Sequence, residues 1–382
     1  MQPLRAMGRD AALLVWHKKM GRAEGRGFMS ARGVGIAVIG CVSLALGACG
    51  ERGGGGKTEA SSAERVSEAL DICTNAQGFA QHVCEDRTLS AIDSQVREAL
   101  VSESVNVSDA GAQLLVQNQN RWREAARITC GILDPTATPT DEQQRCLQSR
   151  FRSRLQEVDT AVQQIGGYTF QRMELVDAAP AVAEFAAAGA AVQGTAVERN
   201  IRFPRIDGPQ TPAVRRFNEL VAQQPEFRLQ DGASETVDYN IAYAGSEVVS
   251  VRFVKSVEAL AAANVTNTMN AVTVLMEEGR LLRADDVFQA GSGWEEFITN
   301  RAVEMIAREF PDYQNFPPRR DVYETATKPH LWLVTERGLT ILFPPLSFGG
   351  SHADGGTEVT IAWADLRPYL NPAAPAPIRA SA

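Results

Sequence analysis

The sequence has no recognised catalytic signature. G-x-S-x-G, H-E-x-x-H and G-x-x-x-x-G-K-[ST] are all missing. The hydrolase elbow, the zinc-protease helix and the phosphate-binding loop are therefore not expected. C-x-x-C pairs are missing too, although the chain has 6 cysteines, and histidines number only 4. A structural zinc site lacks its usual knuckles. An excess of positive charge is also missing. The 38 Lys and Arg face 46 Asp and Glu, for a net charge of -8. Seven of the bases but only two of the acids precede Cys49, which leaves 31 against 44, or -13, after it. Nothing in so acidic a chain neutralises phosphates, so nucleic acid is not an expected partner. A basic partner would be attracted and its encounter accelerated. Apolar and charged residues, at 44% and 22%, are those of a chain that can build a packed core.

Gly33–Ala48 is an uncharged, mostly apolar run preceded by Arg32. It is short for a membrane span, which needs ~20 residues, and has the length and flanks of a signal-peptide h-region. It ends Leu46-Gly47-Ala48-Cys49, which resembles the lipobox of bacterial lipoproteins. That resemblance implies cleavage after residue 48 and lipid attachment to Cys49, with an uncleaved anchor helix as the alternative. The 28 residues before Met29 are long for an n-region, so Met29 is the expected start of translation. Acyl chains contribute ~0.8 kcal/mol per buried methylene and hold a protein to a membrane durably. Residue 50 is Gly rather than Asp, so the periplasmic face of the outer membrane is expected in preference to the inner. Residues 49–63 read as a flexible tether.

Cys73, Cys84, Cys130 and Cys146 remain, all within one stretch of a chain expected to meet oxidising conditions. They predict two disulfides with three connectivities open, and short loop closure favours Cys73–Cys84 with Cys130–Cys146. A zinc site drawing on His82 and Cys84 is the rival reading.

Apolar residues at three- and four-residue steps predict helical stretches over 64–103 and 111–165, the second broken by Pro135 and Pro139. This is read as a small three-helix domain. The structure of 166–197 is left open, with a strand expected from Tyr168 to Leu175. From 198 to 370 the texture alternates, at Val237-Tyr239-Ile241-Tyr243, Val249-Val251-Phe253, Val272-Val274-Met276, Leu339-Ile341-Phe343 and Val359-Ile361. Helical patterns interleave at 214–223, 294–310 and 364–370, and Glu336-Arg337-Gly338 supplies a hairpin turn. The expected fold class is α+β: an N-terminal disulfide-linked helical domain followed by an antiparallel-sheet α+β domain. Residues 371–382, rich in proline and alanine, are expected to be a disordered tail.

Two resemblances bear on function. Residues 70–160 resemble the LprI-type lysozyme-inhibitor domain. They share the four cysteines, Ile92-Asp93, the Gln119-x-x-Trp122 spacing before Cys130, and Cys146-Leu147 followed by Arg154 and Glu157. The family's arginine four residues after the tryptophan is Ala126 here, with Arg127 beside it. Residues 198–370 resemble the extracellular RsiV-type domain. The likeness lies in Ile201–Ile206, Glu278–Leu282, Asp285–Phe288 and the closing segment Leu333–Leu370. Together they imply a non-enzymatic envelope lipoprotein that binds lysozyme-like muramidases, with inhibition a further expectation, or binds peptidoglycan. The alternative is a structural or scaffold lipoprotein with another protein partner.

Gly349–Asp354 brings Ser351, His352 and Asp354 close in sequence, but a triad draws them from separate elements. The segment is read as a glycine-rich hairpin loop or, more sharply, as a binding loop. In the sharper reading Pro345, Leu346 and Phe348 offer apolar contacts and His352 and Asp354 polar ones. Asp285-Asp286 is read as a turn cap before a metal ligand, Trp122 as core, and no metal or cofactor is expected.

Overall fold

The computed structural model describes residues 61–181, 196–223, 232–259, 265–309, 317–348 and 356–381. All of the described residues fall in one compact unit, Thr58–Ala382. Cys49, the expected leader before it and most of the expected tether lie outside the described residues.

The helical stretch contains α1 (Ser62–Leu70), α2 (Phe79–Glu85), α3 (Arg87–Ser104), α4 (Asp109–Thr129) and α5 (Asp141–Val158). Three helices were expected here. The first expected stretch, 64–103, is divided twice: Asp71 ends α1 in extended geometry, and Asp86 leaves helical geometry again while its carboxylate accepts from the Thr88 and Leu89 amides, capping α3. Ser61 and Thr140 each close a capping box at the start of α1 and α5. Val66, Leu70, Leu89, Val96, Leu100, Leu115, Trp122, Leu147 and Phe151 form the helical core. The disulfides join Cys73 to Cys84 and Cys130 to Cys146. Bonded sulfurs offer no thiolate, so the zinc alternative falls away.

A seven-stranded sheet follows in the order β1 (Val162–Ile165), β2 (Tyr168–Pro180), β3 (Ala196–Ile206), β4 (Ala233–Ala244), β5 (Val248–Ala259), β6 (Thr266–Leu275) and β7 (Arg280–Leu281). Its pairings are antiparallel except β3 with β4, which run parallel over Arg199–Ile201. The open segment 166–197 thus contains β2 and the start of β3, and 182–195 lie outside the described residues. The connection between β3 and β4 carries α6 (Pro212–Ala222), which buries Val214, Phe217, Leu220 and Val221 against Val249, Val251 and Phe253.

After α7 (Ala284–Val287), α8 (Trp294–Glu309) and α9 (Arg319–Ala326) comes a second sheet of three strands. It consists of β8 (Trp332–Val334), β9 (Gly338–Phe343) and β10 (Thr357–Ala362) in the order β10-β9-β8. The expected turn at 336–338 joins β8 to β9, with Val334 opposite Leu339. Gly338 is required by crowding, since a Cβ there would lie 2.1 Å from the Ile361 carbonyl oxygen. α8, α9, β8–β10 and α10 (Trp363–Leu366) share a core containing Trp294, Ile298, Trp332, Ile341, Phe343 and Trp363.

β5 explains how the two sheets meet. Residues alternate faces along a strand. Val249, Val251 and Phe253 face α6, so Val248 and Ser250 face the other way. The Ser250 hydroxyl accepts from the Val334 amide at 3.1 Å and bonds the Thr273 hydroxyl at 2.7 Å. Thr273 in turn donates to the Trp332 carbonyl at 3.0 Å. These buried hydroxyls are satisfied by the second sheet, as buried polar groups must be.

The expected disordered tail is instead packed. Ala374 and Ile378 are fully buried in the core that holds Trp294 and Trp363, and α11 (Ile378–Ser381) closes the described chain. Arg379 pairs with Glu247 at 2.5 Å. Proline and alanine were read by composition, whereas two buried side chains and an ion pair decide the outcome.

Candidate functional site

β9 ends at Phe343 and β10 begins at Thr357, so the hairpin they form carries the loop 344–356. Of the residues proposed for binding, Pro345, Leu346 and Phe348 are described, while His352 and Asp354 lie outside the described residues. The loop leaves the sheet in a tight turn, where the Pro344 carbonyl accepts from the Ser347 amide at 3.0 Å and its hydroxyl at 2.6 Å. Phe348 is half-buried and packs against Phe343 with ring centroids 5.1 Å apart. Leu346 does the opposite. It is 41% exposed, and its φ of 68° lies in the left-handed region. The other end of the loop is tight. Gly356 has φ 73°, and a Cβ there would come within 2.6 Å of both the Phe343 carbonyl oxygen and the Met269 methyl. The structure therefore anchors Phe348, half-buries Pro345 and displays Leu346.

Of the residues that carry the LprI-type resemblance, Asp93, Gln119, Trp122, Leu147 and Arg154 are buried, Cys84, Cys146 and Glu157 are partly buried, and Cys73 is exposed. Trp122 is buried edge-on to Phe151 at 5.0 Å, and the Arg154 guanidinium lies 5.4 Å from its ring centre. Arg154 also donates to the Gln119 side chain at 2.9 Å and pairs with Glu174 of β2 at 2.8 Å. Arg172 pairs with the same carboxylate at 2.6 Å, and Arg202 of β3 reaches Glu157 at 2.8 Å. Burial alone would raise the Glu174 carboxyl, but Arg154, Arg172 and Arg202 outweigh it and hold it at about 2. Asp93 forms a separate buried pair with Arg123 at 2.9 Å. Arg127, beside the family's arginine position, donates to the Ile132 and Leu133 carbonyls. Arg154 and Arg202 join helix α5 to strands β2 and β3, whereas Arg123 and Arg127 hold the helical stretch together.

Glu174, Arg172 and Arg202 were not singled out from the sequence. A single buried carboxylate in a strand resembles an outward-facing residue of an alternating pattern, and only the helix packed over β2 makes it interior.

Asp285 and Asp286 lie within the short helix α7, and the residue that caps it is Asp286 rather than the expected Asp285. Asp286 pairs with Arg280 at 2.7 Å and accepts from the Arg283 amide, and its carboxyl is held below the usual range against the opposing effect of burial. Among the described residues, no group of three or more His, Cys, Asp and Glu is placed to hold a metal ion. Among the same residues, no helix is long and apolar enough to cross a membrane.

A cavity of about 460 Å³ opens at one end of the seven-stranded sheet. Tyr168, Asp207, Thr211, Ser246 and Glu277 contribute its polar lining, and Val214 and Met276 are among its apolar residues. Asp207 is already engaged, accepting from the Ser108 hydroxyl at 2.8 Å and pairing with Arg205 at 2.7 Å.

No family model matches the chain, and no curated protein does. Solved structures similar to it include a member of the DUF3298 family from Bacteroides fragilis NCTC 9343. That likeness has 10% identity and a TM-score of 0.42, and covers 57% of this chain and 98% of the other. A DUF3298 family protein from Pseudomonas aeruginosa PAO1 is 12% identical with a TM-score of 0.39, covering 54% of this chain and 95% of the other.

Proposed function

We propose that this chain is a cell-envelope lipoprotein that binds lysozyme-like muramidases or peptidoglycan, held to the periplasmic face of the membrane through Cys49. Its contact element is the loop 344–356. The observation that carries the reading is Leu346. A left-handed conformation costs a side-chain-bearing residue roughly 1–2 kcal/mol, and glycine there would remove the cost. An apolar side chain held at that cost in water, between an anchored Phe348 and a sterically fixed Gly356, is a display position. Strain of this kind collects at ligand-binding segments. The LprI-type and RsiV-type resemblances supply the ligand class, and the acidity of the chain after Cys49 suits a basic muramidase. Inhibition in this reading is occlusion of the muramidase cleft, with no covalent step.

The test is binding of purified Thr58–Ala382 to several lysozymes and to isolated sacculi, together with a lysis assay. Micromolar binding of at least one is expected, weakened about tenfold or more by Leu346→Asp. Leu346→Gly should weaken binding as well while raising unfolding stability by about 1 kcal/mol, because the backbone cost is released. Absence of binding to all of them at micromolar concentration would remove the proposal. Binding unaffected by Leu346→Asp would remove the loop from it.

A further inference from the structure

α8 turns Trp294, Ile298, Thr299, Ala302 and Ile306 into the core. The adjacent stripe, Phe297, Asn300, Arg301 and Glu304, follows the i, i+3, i+4, i+7 spacing of one helix face. Together with Asp365 of α10 these residues line a surface groove of about 440 Å³. That volume lies within the roughly 300–1,000 Å³ of small-molecule sites.

Three properties of the groove narrow its ligand. First, it has a positioned aromatic wall: Phe297 is half-buried and its ring stacks on Tyr369, centroids 4.6 Å apart and planes 26° apart. The Tyr369 segment is fixed in turn, since its carbonyl accepts from the Gln289 amide at 2.9 Å. Second, the polar groups hold one another in place. Arg301 bonds Glu304 at 3.1 Å and lies 3.7 Å from Asp365. Asn300 donates to Glu296 at 3.2 Å and accepts from Arg319 at 3.2 Å. Third, the lining sets its one guanidinium between two carboxylates, Glu304 and Asp365, which leaves one negative charge in excess. An anionic ligand would have to displace a carboxylate from Arg301. A neutral polyhydroxyl ligand would not, because a guanidinium has five N–H donors and each carboxylate about four acceptor sites.

We propose that this groove is a saccharide subsite that takes one pyranose ring of a neutral glycan. The C–H face of the ring lies against Phe297, and its hydroxyls donate to Asp365 and Glu304 and accept from Arg301 and Asn300. This deepens the peptidoglycan arm of the function proposed above and rests on that reading only for which glycan is met. The groove and the loop share a helix. Glu309 at the end of α8 accepts from Thr357 at the base of the hairpin at 2.8 Å. Helical rise places Glu304 about 7.5 Å further along the axis.

The test is calorimetric titration of the full chain with the β-1,4-linked tetramers of N-acetylglucosamine and of glucose. Saturable binding of one or both is expected in the millimolar range or tighter. Phe297→Ala should weaken it about tenfold, the loss of one stacked ring. Because Phe297 also touches the core, the exposed substitutions Asn300→Ala and Asp365→Ala accompany it. Both are expected to weaken binding severalfold with unchanged thermal unfolding. Leu346→Asp should leave glycan binding intact, so muramidase binding that is absent from the unaltered chain, or unaffected by Leu346→Asp, sinks the loop reading while retained tetramer binding spares this one. No saturable binding of either tetramer at millimolar concentration, or full affinity in both exposed variants, overturns the subsite.

Discussion

Glu174 is a carboxylate removed from water and surrounded by guanidinium groups. Its folded pKa of about 2 lies below the unfolded value of 4.5, so the unfolded chain binds its proton more tightly. The resulting stabilisation is complete above about 4.5 and is lost as the pH falls through about 2. Glu174→Gln should cost about 3–5 kcal/mol at neutral pH, because it leaves Arg154 and Arg172 buried without their counter-charge. Urea unfolding measured from pH 7 down to 2 would show both the loss and a shallower acid slope in the variant. An unchanged slope would mean that acid sensitivity comes from other carboxylates. At this scale the sequence was partly legible. Trp122 reads as core from its helical spacing, and it is core. Phe297 gives no such signal, because a lone aromatic beside the apolar positions of α8 looks like another core residue.

Among the elements, the turn between β1 and β2 shows how much a single backbone approach decides. Gly166 and Gly167 both have positive φ, 60° and 84°. A Cβ on Gly166 would lie 1.9 Å from the Ala244 carbonyl oxygen, whereas one on Gly167 meets nothing within 4 Å. Gly167→Ala should therefore cost about 1 kcal/mol, the conformational penalty alone. Gly166→Ala should cost clearly more, near or above the upper end of the usual ~0.5–3 kcal/mol, since backbone must move. Equal thermal shifts for the two would contradict the close contact with β4. From sequence the pair marks only the opening of the strand expected from Tyr168 to Leu175. The strands of 198–370 were legible because alternation is local. The second face of β5 was not, because a buried serine in an alternating strand looks solvent-facing until Val334 and Thr273 surround it.

At the level of the whole molecule, the helical stretch and the sheet are joined by the Arg154–Glu174 pair, by Arg150–Glu198 at 2.6 Å, by the Ser108–Asp207 hydrogen bonds, and by Ala125 packed with Val176 and Ala178. Helix α4 lies along β2, with the Asn118 amide donating to the Arg172 carbonyl at 2.9 Å and Gln171 to the Gly111 carbonyl at 2.6 Å. Shared contacts of this kind predict shared opening. Native-state hydrogen exchange should find the most protected amides of α4, α5, β2 and β3 opening with one free energy and one denaturant dependence. Two distinct values, with the helices opening while β2 and β3 stay protected, would show that the halves fold independently.

Whatever depends on neighbours along the chain was decided at the level of sequence. This covers the fold class, the cystine-linked helices, the alternating strands and the hairpin before Gly338. These follow from periodicity, capping and turn chemistry, which act over a few residues. Tertiary structure alone decided that the alanine- and proline-rich end is packed, that β5 is covered on both faces, and that Leu346 is displayed while Phe348 is anchored. It also decided that Gln119, Arg154 and Glu174, from three different elements, share one buried site. Each of these depends on which surfaces meet across the fold, and burial changes the energy of a charge, a hydroxyl or a strained backbone in ways no local pattern records.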